Sequence, residues 1–571
     1  MYSNKKNVNI LTALLAEHHV CDAVVCPGSR NAPIVHNLNE HPDIRCYPVT
    51  DERSAGFYAL GMALAKRAPV AVCVTSGTAL LNLAPAVAEA YYQQVPLVVI
   101  SADRPQEWIG QLDGQTLPQG HCLHDFVKRE VTLPVDAANP SEEWHCNRLV
   151  NEALLAALRP AGGPVHINVP IAEPLFEFST EALPRTRVIR RLADQGGDSA
   201  DIVSRWWMEA KRPMAVMGQF FSELASCDLE TRDAAFDVME ARGVVLTETL
   251  CNLPTRFTRV DEALVAVGGD DEGLLPDFIL YLGGTLVSKR LRHFLRKVDG
   301  ARVVMACPDG EVADVTMHLT DIVEVSPDQV LESLAAWSHG VKDISEITLH
   351  SDYRHRWQQV LERAQQVVDD FEPPFSQMAA VRYFEQQFED FYDSYSVHYA
   401  NSSAIRLANL FAEHPVYCNR GVNGIDGSLS TAAGFSVATD DLVFCVVGDL
   451  SFFYDQNALW NQNLRGNLRI ILLNNGRGGI FQQLPGLAKS PACDHLVSAC
   501  HNTRAQGICT QNDIGYLLAT DMQQLKMGVM TLMTSTHSRP VVLEVVTDPK
   551  EDAAALRQLH HILQTAGCQS I

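Results

Sequence analysis

The chain has 571 residues, 47% of them hydrophobic, and a formal net charge of −23. That length predicts about three or four domains, and the acidic balance excludes nucleic acid as a partner, because a phosphate backbone calls for basic surfaces. The 15 cysteines form no CxxC pair, and several, such as Cys26, Cys73 and Cys445, sit in apolar strand-like runs, so they read as reduced thiols of a cytoplasmic protein rather than a disulfide framework. No uncharged run has membrane-spanning length, and the amino terminus lacks the apolar core of a signal peptide. It opens instead on an amphipathic helix, with Val8, Leu11, Leu14 and Leu15 at helical spacing.

A short buried strand over 23–26 leads into the turn Pro27-Gly28-Ser29-Arg30-Asn31, where Arg30 is either a surface charge or a planar fork for a carboxylate. A second strand over 46–49 runs into Thr50-Asp51-Glu52-Arg53, with Thr50 as N-cap of a Gly- and Ala-rich helix over 54–66 that can pack very closely. An acid in a first helical turn is common for dipole reasons alone, so Glu52 in isolation needs no functional explanation. A strand over 70–75 precedes a helix over 76–92. A strand over 97–100 ends near Arg104, and the loop after it carries Asp113-Gly114-Gln115-Thr116. The strand 165–170 closes this unit. The stretch 180–199, with its prolines, arginines and Gly196-Gly197, reads as a linker.

Strands over 214–217, 244–246, 278–282 and 302–305 make a middle unit. Its Gly283-Gly284-Thr285 is neither GxGxxG nor a Walker motif. Lys289 there either reaches a neighbouring active site or lies on a solvated helix face. Arg290, Arg292 and Arg296 make either an effector site or a basic surface. A helical connector over 351–370 ends at Pro373-Pro374. The last unit opens with a strand from Tyr395 towards Asn401 and Ser402, with Arg406 on the helix that follows. A glycine-punctuated loop over 416–427 precedes a helix over 428–434. The alternation of strands and helices predicts parallel sheets covered on both faces.

Two polar clusters organise this last unit. Gly448-Asp449-Leu450-Ser451 follows the apolar run 441–447, and Asn474-Asn475-Gly476 follows the run 468–473, with a helical segment expected over 454–463. Both clusters fall at the carboxyl ends of strands, where open parallel sheets bind ligands. A carboxylate and an amide oxygen are hard ligands, and one or two such groups with phosphate oxygens is how proteins usually hold Mg²⁺. Glycines beside them let backbone approach a diphosphate.

The pattern resembles the signature of thiamine-diphosphate enzymes, with Leu450 where the general signature has Gly. The resemblance narrows with Pro27-Gly28-Ser29-Arg30, Asp51-Glu52-Arg53, Thr75-Ser76-Gly77-Thr78, Ala102-Asp103-Arg104-Pro105, Asn419-Arg420-Gly421, Gly424-Ile425-Asp426-Gly427, Gly448-Asp449-Leu450-Ser451 and Ile480-Phe481. Together these are similar to the SEPHCHC synthase (MenD) family, in which Leu after Gly-Asp is usual.

That resemblance implies an α/β, three-domain thiamine-diphosphate-enzyme fold, each domain a mostly parallel sheet covered by helices: a pyrimidine-binding (PYR) domain over 1–180, a central Rossmann-like domain over 200–345 and a diphosphate-binding (PP) domain over 375–571. It implies decarboxylation of 2-oxoglutarate on thiamine diphosphate and addition of the succinic-semialdehyde carbanion to isochorismate, in menaquinone biosynthesis. The alternative is another such decarboxylase or carboligase, of the acetolactate-synthase kind. Glu52 would be catalytic, at N1′ of the aminopyrimidine. Asn401, Ser402, Gly424, Ile425, Leu450, Ser451, Ile480 and Phe481 would bind the cofactor. Asp449, Asn475 and Arg477 would bind Mg²⁺ or Mn²⁺, Arg477 through its carbonyl with its side chain turned away. Both substrates are dianions, and the arginines answer to that: Arg406 and Ser402 towards 2-oxoglutarate; Arg30, Arg104 and Lys289 towards isochorismate; Gln115 orienting it; Arg420 as a further substrate cation. A homodimer or homotetramer is implied, with no nucleic-acid or membrane partner.

Overall fold

The structure, a computed structural model, describes residues 1–159, 161–189, 197–220, 227–251, 258–269, 272–340, 343–483 and 486–567. Residues 190–196 of the expected linker, and Leu484 at the end of the stretch expected to cover a cofactor, lie outside them.

The described strands form three sheets. β1 (Asp22–Val25), β2 (Arg45–Pro48), β3 (Val70–Val74), β4 (Leu97–Asp103), β5 (Arg129–Thr132) and β6 (Val165–Pro170) lie in the order β2-β1-β3-β4-β6-β5. β7 (Pro213–Met217), β8 (Val244–Thr247), β9 (Phe278–Leu282), β10 (Arg302–Ala306) and β11 (Asp321–Val323) lie in the order β11-β10-β9-β7-β8. β12 (Tyr395–Tyr399), β13 (Leu442–Gly448), β14 (Leu468–Asn474), β15 (Gly515–Ala519) and β16 (Val541–Val546) lie in the order β12-β13-β14-β16-β15. Every pairing between these strands is parallel. The inner strands β4, β9 and β14 are buried along their whole length, as parallel sheets with helices on both faces require.

Three strands escape the sequence pattern. β5, β11 and β15 each end a sheet, and each is only partly buried. An edge strand packs one flank only, so it needs no continuous apolar run. The helices also differ in detail. The segment expected as one helix over 76–92 is two, Thr78–Asn82 and Ala84–Gln93; Pro85, which has no N–H to donate, stands in the first turn of the second. The first-unit helix is Glu52–Lys66, and its N-cap is Asp51 rather than Thr50, because the Asp51 carboxylate accepts from Ser54 N at 3.0 Å. In the last unit the helix starts directly at the strand end, as Asp449–Tyr454, and only a 3₁₀ turn, Gln456–Leu459, follows where a longer helix over 454–463 was expected.

The helix Glu52–Lys66 lies against the helix Ser428–Ala438, and small residues set how closely they approach. A Cβ on Gly61 would run into the Thr431 carbonyl, and one on Gly434 into the Tyr58 backbone. Tyr58 Oη donates to Ala458 O at 2.9 Å, Asn457 Nδ2 donates to Asp51 Oδ2 at 2.7 Å, and Arg53 donates to Tyr454 O at 2.9 Å while stacking on the Tyr454 ring. One apolar cluster therefore runs from Val72 and Val99 of the first sheet to Val446 and Leu472 of the third. The middle sheet reaches the third through polar clamps. Arg259 Nη1 donates to the carbonyls of Asn409 and Ala412, Thr249 Oγ1 donates to Asn409 Oδ1 at 2.7 Å, and Gln219 Nε2 donates to Cys418 O at 2.9 Å.

The glycine contact has a measurable consequence. Alanine favours a helix over glycine by about 1 kcal/mol, but overpacking costs about 1–3 kcal/mol, so Gly434→Ala is expected to lower the urea midpoint of unfolding. An unchanged or raised midpoint would show that the two helices can move apart freely.

Candidate active site

Asp449 opens the short helix after β13 and is buried. Its Oδ1 accepts from Leu450 N at 2.7 Å; its Oδ2 accepts from Gly476 N at 2.8 Å and Arg477 N at 3.2 Å. The carboxylate thus ties the end of β13 to the loop after β14. Burial pushes this carboxyl above its ordinary range, against the Leu450 N–H, the His501 ring and the other two backbone donors. A cation beside it would offset that burial cost.

The two asparagines divide their work. Asn474 is buried. Its Nδ2 donates to Glu544 Oε1 at 2.6 Å and to Thr503 O at 3.0 Å, and its Oδ1 accepts from Gly476 N at 3.1 Å. Asn475 Nδ2 donates to Asp552 Oδ2 at 2.8 Å, and its Oδ1 is buried with no hydrogen-bond partner. Gly476 has φ +76°, and a Cβ there would lie 2.7 Å from His501 O, so glycine is required on both counts. The Arg477 side chain pairs with Asp494 at 2.9 Å. A buried carboxylate and an orphaned amide oxygen on neighbouring loops fit a hard divalent cation completed by phosphate oxygens. Among the described residues no cluster of three or more His, Cys, Asp or Glu side chains is placed to hold a metal by itself.

Around this loop the third sheet gathers most of the remaining expected residues. Asn401 Nδ2 donates to Asn419 O at 2.6 Å and Gly424 O at 2.7 Å, which closes the loop 419–427 onto the end of β12. Arg420 is buried; its Nη1 donates to Asn401 Oδ1 at 3.2 Å, its Nη2 to Leu286 O at 3.3 Å, and its Nε has no partner. Burial lowers its pKa. Ser402 has φ +75°, an uncommon backbone state for a side-chain-bearing residue, at the start of the helix Ser403–Phe411 that carries the exposed Arg406. Ser451 Oγ donates to Ile425 O, and the Ile425 side chain is 45% exposed. Leu450 and Phe481 both lie against Gly478, while Ile480 and Phe481 belong to the 3₁₀ turn Gly479–Gln483.

The first sheet presents a second group. Glu52 is half-buried at the start of its helix, and the Cys26 thiol is pushed up by burial and then by the Glu52 charge, which puts Glu52 beside the end of β1. Arg30 is buried and donates to Ile171 O and to Glu173 Oε1, each at 3.1 Å. Arg104 pairs with Asp113 at 3.1 Å, and its Nε is buried without a partner. Gln115 is exposed at φ +57°, its backbone packed on Gly77. Lys289 is exposed at the start of the helix Lys289–Leu295 in the middle unit.

Several residues that hold these groups carry no local sequence signal. Glu89 accepts from Gly421 N and Val422 N at 2.8 Å each, across 332 and 333 positions of chain. Glu248, fully enclosed, accepts from Val287 N at 2.6 Å and Ser288 N at 2.7 Å, just before Lys289. Gln119 bridges Gly77 N, Ala102 O and Asn168 Oδ1. Their partners lie far away in sequence, so no spacing rule could have found them.

A family described as "Thiamine pyrophosphate enzyme, N-terminal TPP binding domain" matches residues 6–127. The chain is 43% identical over 578 residues to the 2-succinyl-5-enolpyruvyl-6-hydroxy-3-cyclohexene-1-carboxylate synthase of Bacteroides fragilis, covering 99% of this chain and 100% of that one. Proteins of the same name from Bacteroides thetaiotaomicron (43% identical; 99% of this chain, 100% of that one) and Porphyromonas gingivalis (34%; 97% of each) are similar over comparable lengths.

Asp455 provides a test of the packing beneath the site. It is fully buried, accepts from Ser430 N and Oγ at 2.7 Å each, and burial raises its pKa to about 7. The folded state keeps this proton up to about pH 7, whereas the unfolded chain loses it near pH 4. Its contribution to stability is therefore fully present below about pH 4 and lost as pH rises through 7. Asp455→Asn stays neutral, so its Tm relative to wild type is expected to rise between pH 5 and 8. A difference independent of pH would refute the assignment.

Proposed function

The chain belongs to the 2-succinyl-5-enolpyruvyl-6-hydroxy-3-cyclohexene-1-carboxylate synthase family, and on that premise we propose that it joins the succinic-semialdehyde unit of 2-oxoglutarate to isochorismate, with release of CO₂, in menaquinone biosynthesis. The observation that carries this reading into the structure is the loop Asn474–Arg477 drawn onto Asp449, with Asn475 Oδ1 left without a partner. Thiamine diphosphate, when bound, supplies the nucleophilic carbon and the electron sink.

The residues supply position and charge. Glu52 holds a proton at N1′ of the aminopyrimidine, a relay of a kind worth about 10²–10⁴-fold in rate. Asp449, Asn475 and the Arg477 carbonyl hold Mg²⁺ or Mn²⁺, while Asn401, Ser402, Gly424, Ile425, Leu450, Ser451, Ile480 and Phe481 line the cofactor. Exposed and apolar, Ile425 is suited to pack beneath a ring. Arg406 and Ser402 face 2-oxoglutarate. Arg30, Arg104 and Lys289 face isochorismate, Gln115 orients it, and Arg420 adds a buried cation. Support for the isochorismate side comes from Arg30 and Arg104, which already hold the carboxylates of Glu173 and Asp113; a planar guanidinium that binds one carboxylate is suited to another. A pyruvate-using enzyme of the acetolactate-synthase kind would need to bind a single carboxylate and has less use for this set.

The first sheet with its helices, over 1–180, is the PYR domain in this reading, 200–345 the central domain and 375–571 the PP domain. The enzyme is a cytoplasmic homodimer or homotetramer in which Glu52 of one subunit serves the diphosphate site of another. Full turnover by a dilute monomer would refute that arrangement. No helix among the described residues is long and apolar enough to cross a membrane.

Purified protein with thiamine diphosphate, Mg²⁺ and 2-oxoglutarate is expected to release CO₂ and form the coupled product when isochorismate is added, and to lose that turnover in Glu52→Gln. Consumption of pyruvate instead would overturn the substrate assignment. Because the Arg477 side chain is engaged with Asp494, Arg477→Ala is expected to leave Mg²⁺ affinity within a few-fold of wild type; a large loss, measured calorimetrically, would count against the carbonyl-only role.

A further inference from the structure

The two adjacent asparagines face the same ambiguity. An amide has a donor end and an acceptor end of nearly the same shape, and its neighbours decide which points where. An ionised carboxylate only accepts, so a carboxylate beside an asparagine draws the NH₂ towards itself and turns the oxygen the other way. Glu544 does this to Asn474, whose oxygen is then taken by Gly476 N at 3.1 Å. Asp552 does it to Asn475, whose oxygen stays buried and unpaired. The two arrangements differ in that one outcome: only Asn475 has an oxygen left over.

Asp552 is itself held from several directions. Oδ2 accepts from Asn475 Nδ2 at 2.8 Å and from Thr547 Oγ1 at 2.9 Å, and Oδ1 accepts from Gln377 N at 2.8 Å. Thr547 follows β16, Gln377 begins the helix Gln377–Gln386, and Asp552 lies in the first turns of the helix Pro549–Gly567. Three elements thus fix one carboxylate, which in turn fixes one amide. That is how an outer-shell group orients a metal ligand.

We propose that Asp552 is a positioning residue for the divalent-cation site: by accepting from Asn475 Nδ2 it presents Asn475 Oδ1 to the cation and excludes the flipped amide, which would present an NH₂. The inference rests on the metal reading above. Asp552 touches neither cation nor substrate and acts through Asn475 alone.

The test is Mn²⁺ binding to the full-length protein with thiamine diphosphate, followed by electron paramagnetic resonance of the free ion and independent of turnover. Asp552→Asn keeps the side-chain shape but can donate as readily as accept. It is expected to weaken Mn²⁺ binding by about 10-fold or more, within the range of outer-shell substitutions. The decisive background is Asn475→Asp, whose side chain ends in two oxygens and so presents a hard ligand whichever way it is turned. There Asp552→Asn has no amide left to orient, and the loss of Mn²⁺ affinity is expected to shrink to within a few-fold. A merely structural Asp552 would weaken binding by a similar factor in both backgrounds, so equal losses overturn the proposal, as does unchanged affinity in Asp552→Asn and Asp552→Ala. Absence of Mn²⁺ binding by the wild-type protein would overturn the metal reading itself, and the inference with it.

Discussion

The hydrogen bonds from Gly476 N and Arg477 N to Asp449 Oδ2 join the ends of two neighbouring parallel strands, and the rest of the candidate site hangs on that joint. Asp449 is buried against the cost of desolvation. Backbone donors from its own helix start and from the facing loop meet part of that cost, and the remainder is what a divalent cation would meet. A parallel sheet lends itself to such a joint, because consecutive strands deliver their carboxyl ends to one edge and the loops there are free of ladder hydrogen bonds.

Buried and half-buried carboxylates hold the surrounding loops in a repeated way. Glu89 receives two successive N–H groups of the loop that carries Ile425, and Glu248 receives two successive N–H groups ahead of Lys289. Glu544 and Asp552 each hold one of the paired asparagines. A carboxylate with two acceptor oxygens can fix a loop without shielding its outer face, so the loop stays both rigid and open. Rigid placement of this kind is what catalysis by position and charge demands.

The middle sheet acts on the site from a distance. It supplies Leu286 O to Arg420, and through Arg259 and Thr249 it grips the carboxyl end of the helix that carries Arg406. Two candidate substrate arginines are therefore set by a unit in which the sequence offered only Lys289 and the basic residues Arg290, Arg292 and Arg296 as candidates, because Leu286, Arg259 and Thr249 reach across without any local motif.

The sequence by itself determined the strand rhythm, the three parallel sheets and the placement of Asp449 and Asn475 at strand ends, because apolar runs and glycine-bounded polar clusters are local signals. It missed the edge strands β5, β11 and β15, which pack on one flank and need no such run, and it misplaced the N-cap at Thr50, since only the folded backbone shows which oxygen reaches Ser54 N. Only the tertiary structure decided which amide oxygen is spare, which arginines already hold a carboxylate and which distant acids brace the loops. Most of those outcomes depend on hydrogen-bond partners tens to hundreds of residues apart, and a donor's partner becomes defined only when folding removes the water that would otherwise satisfy it.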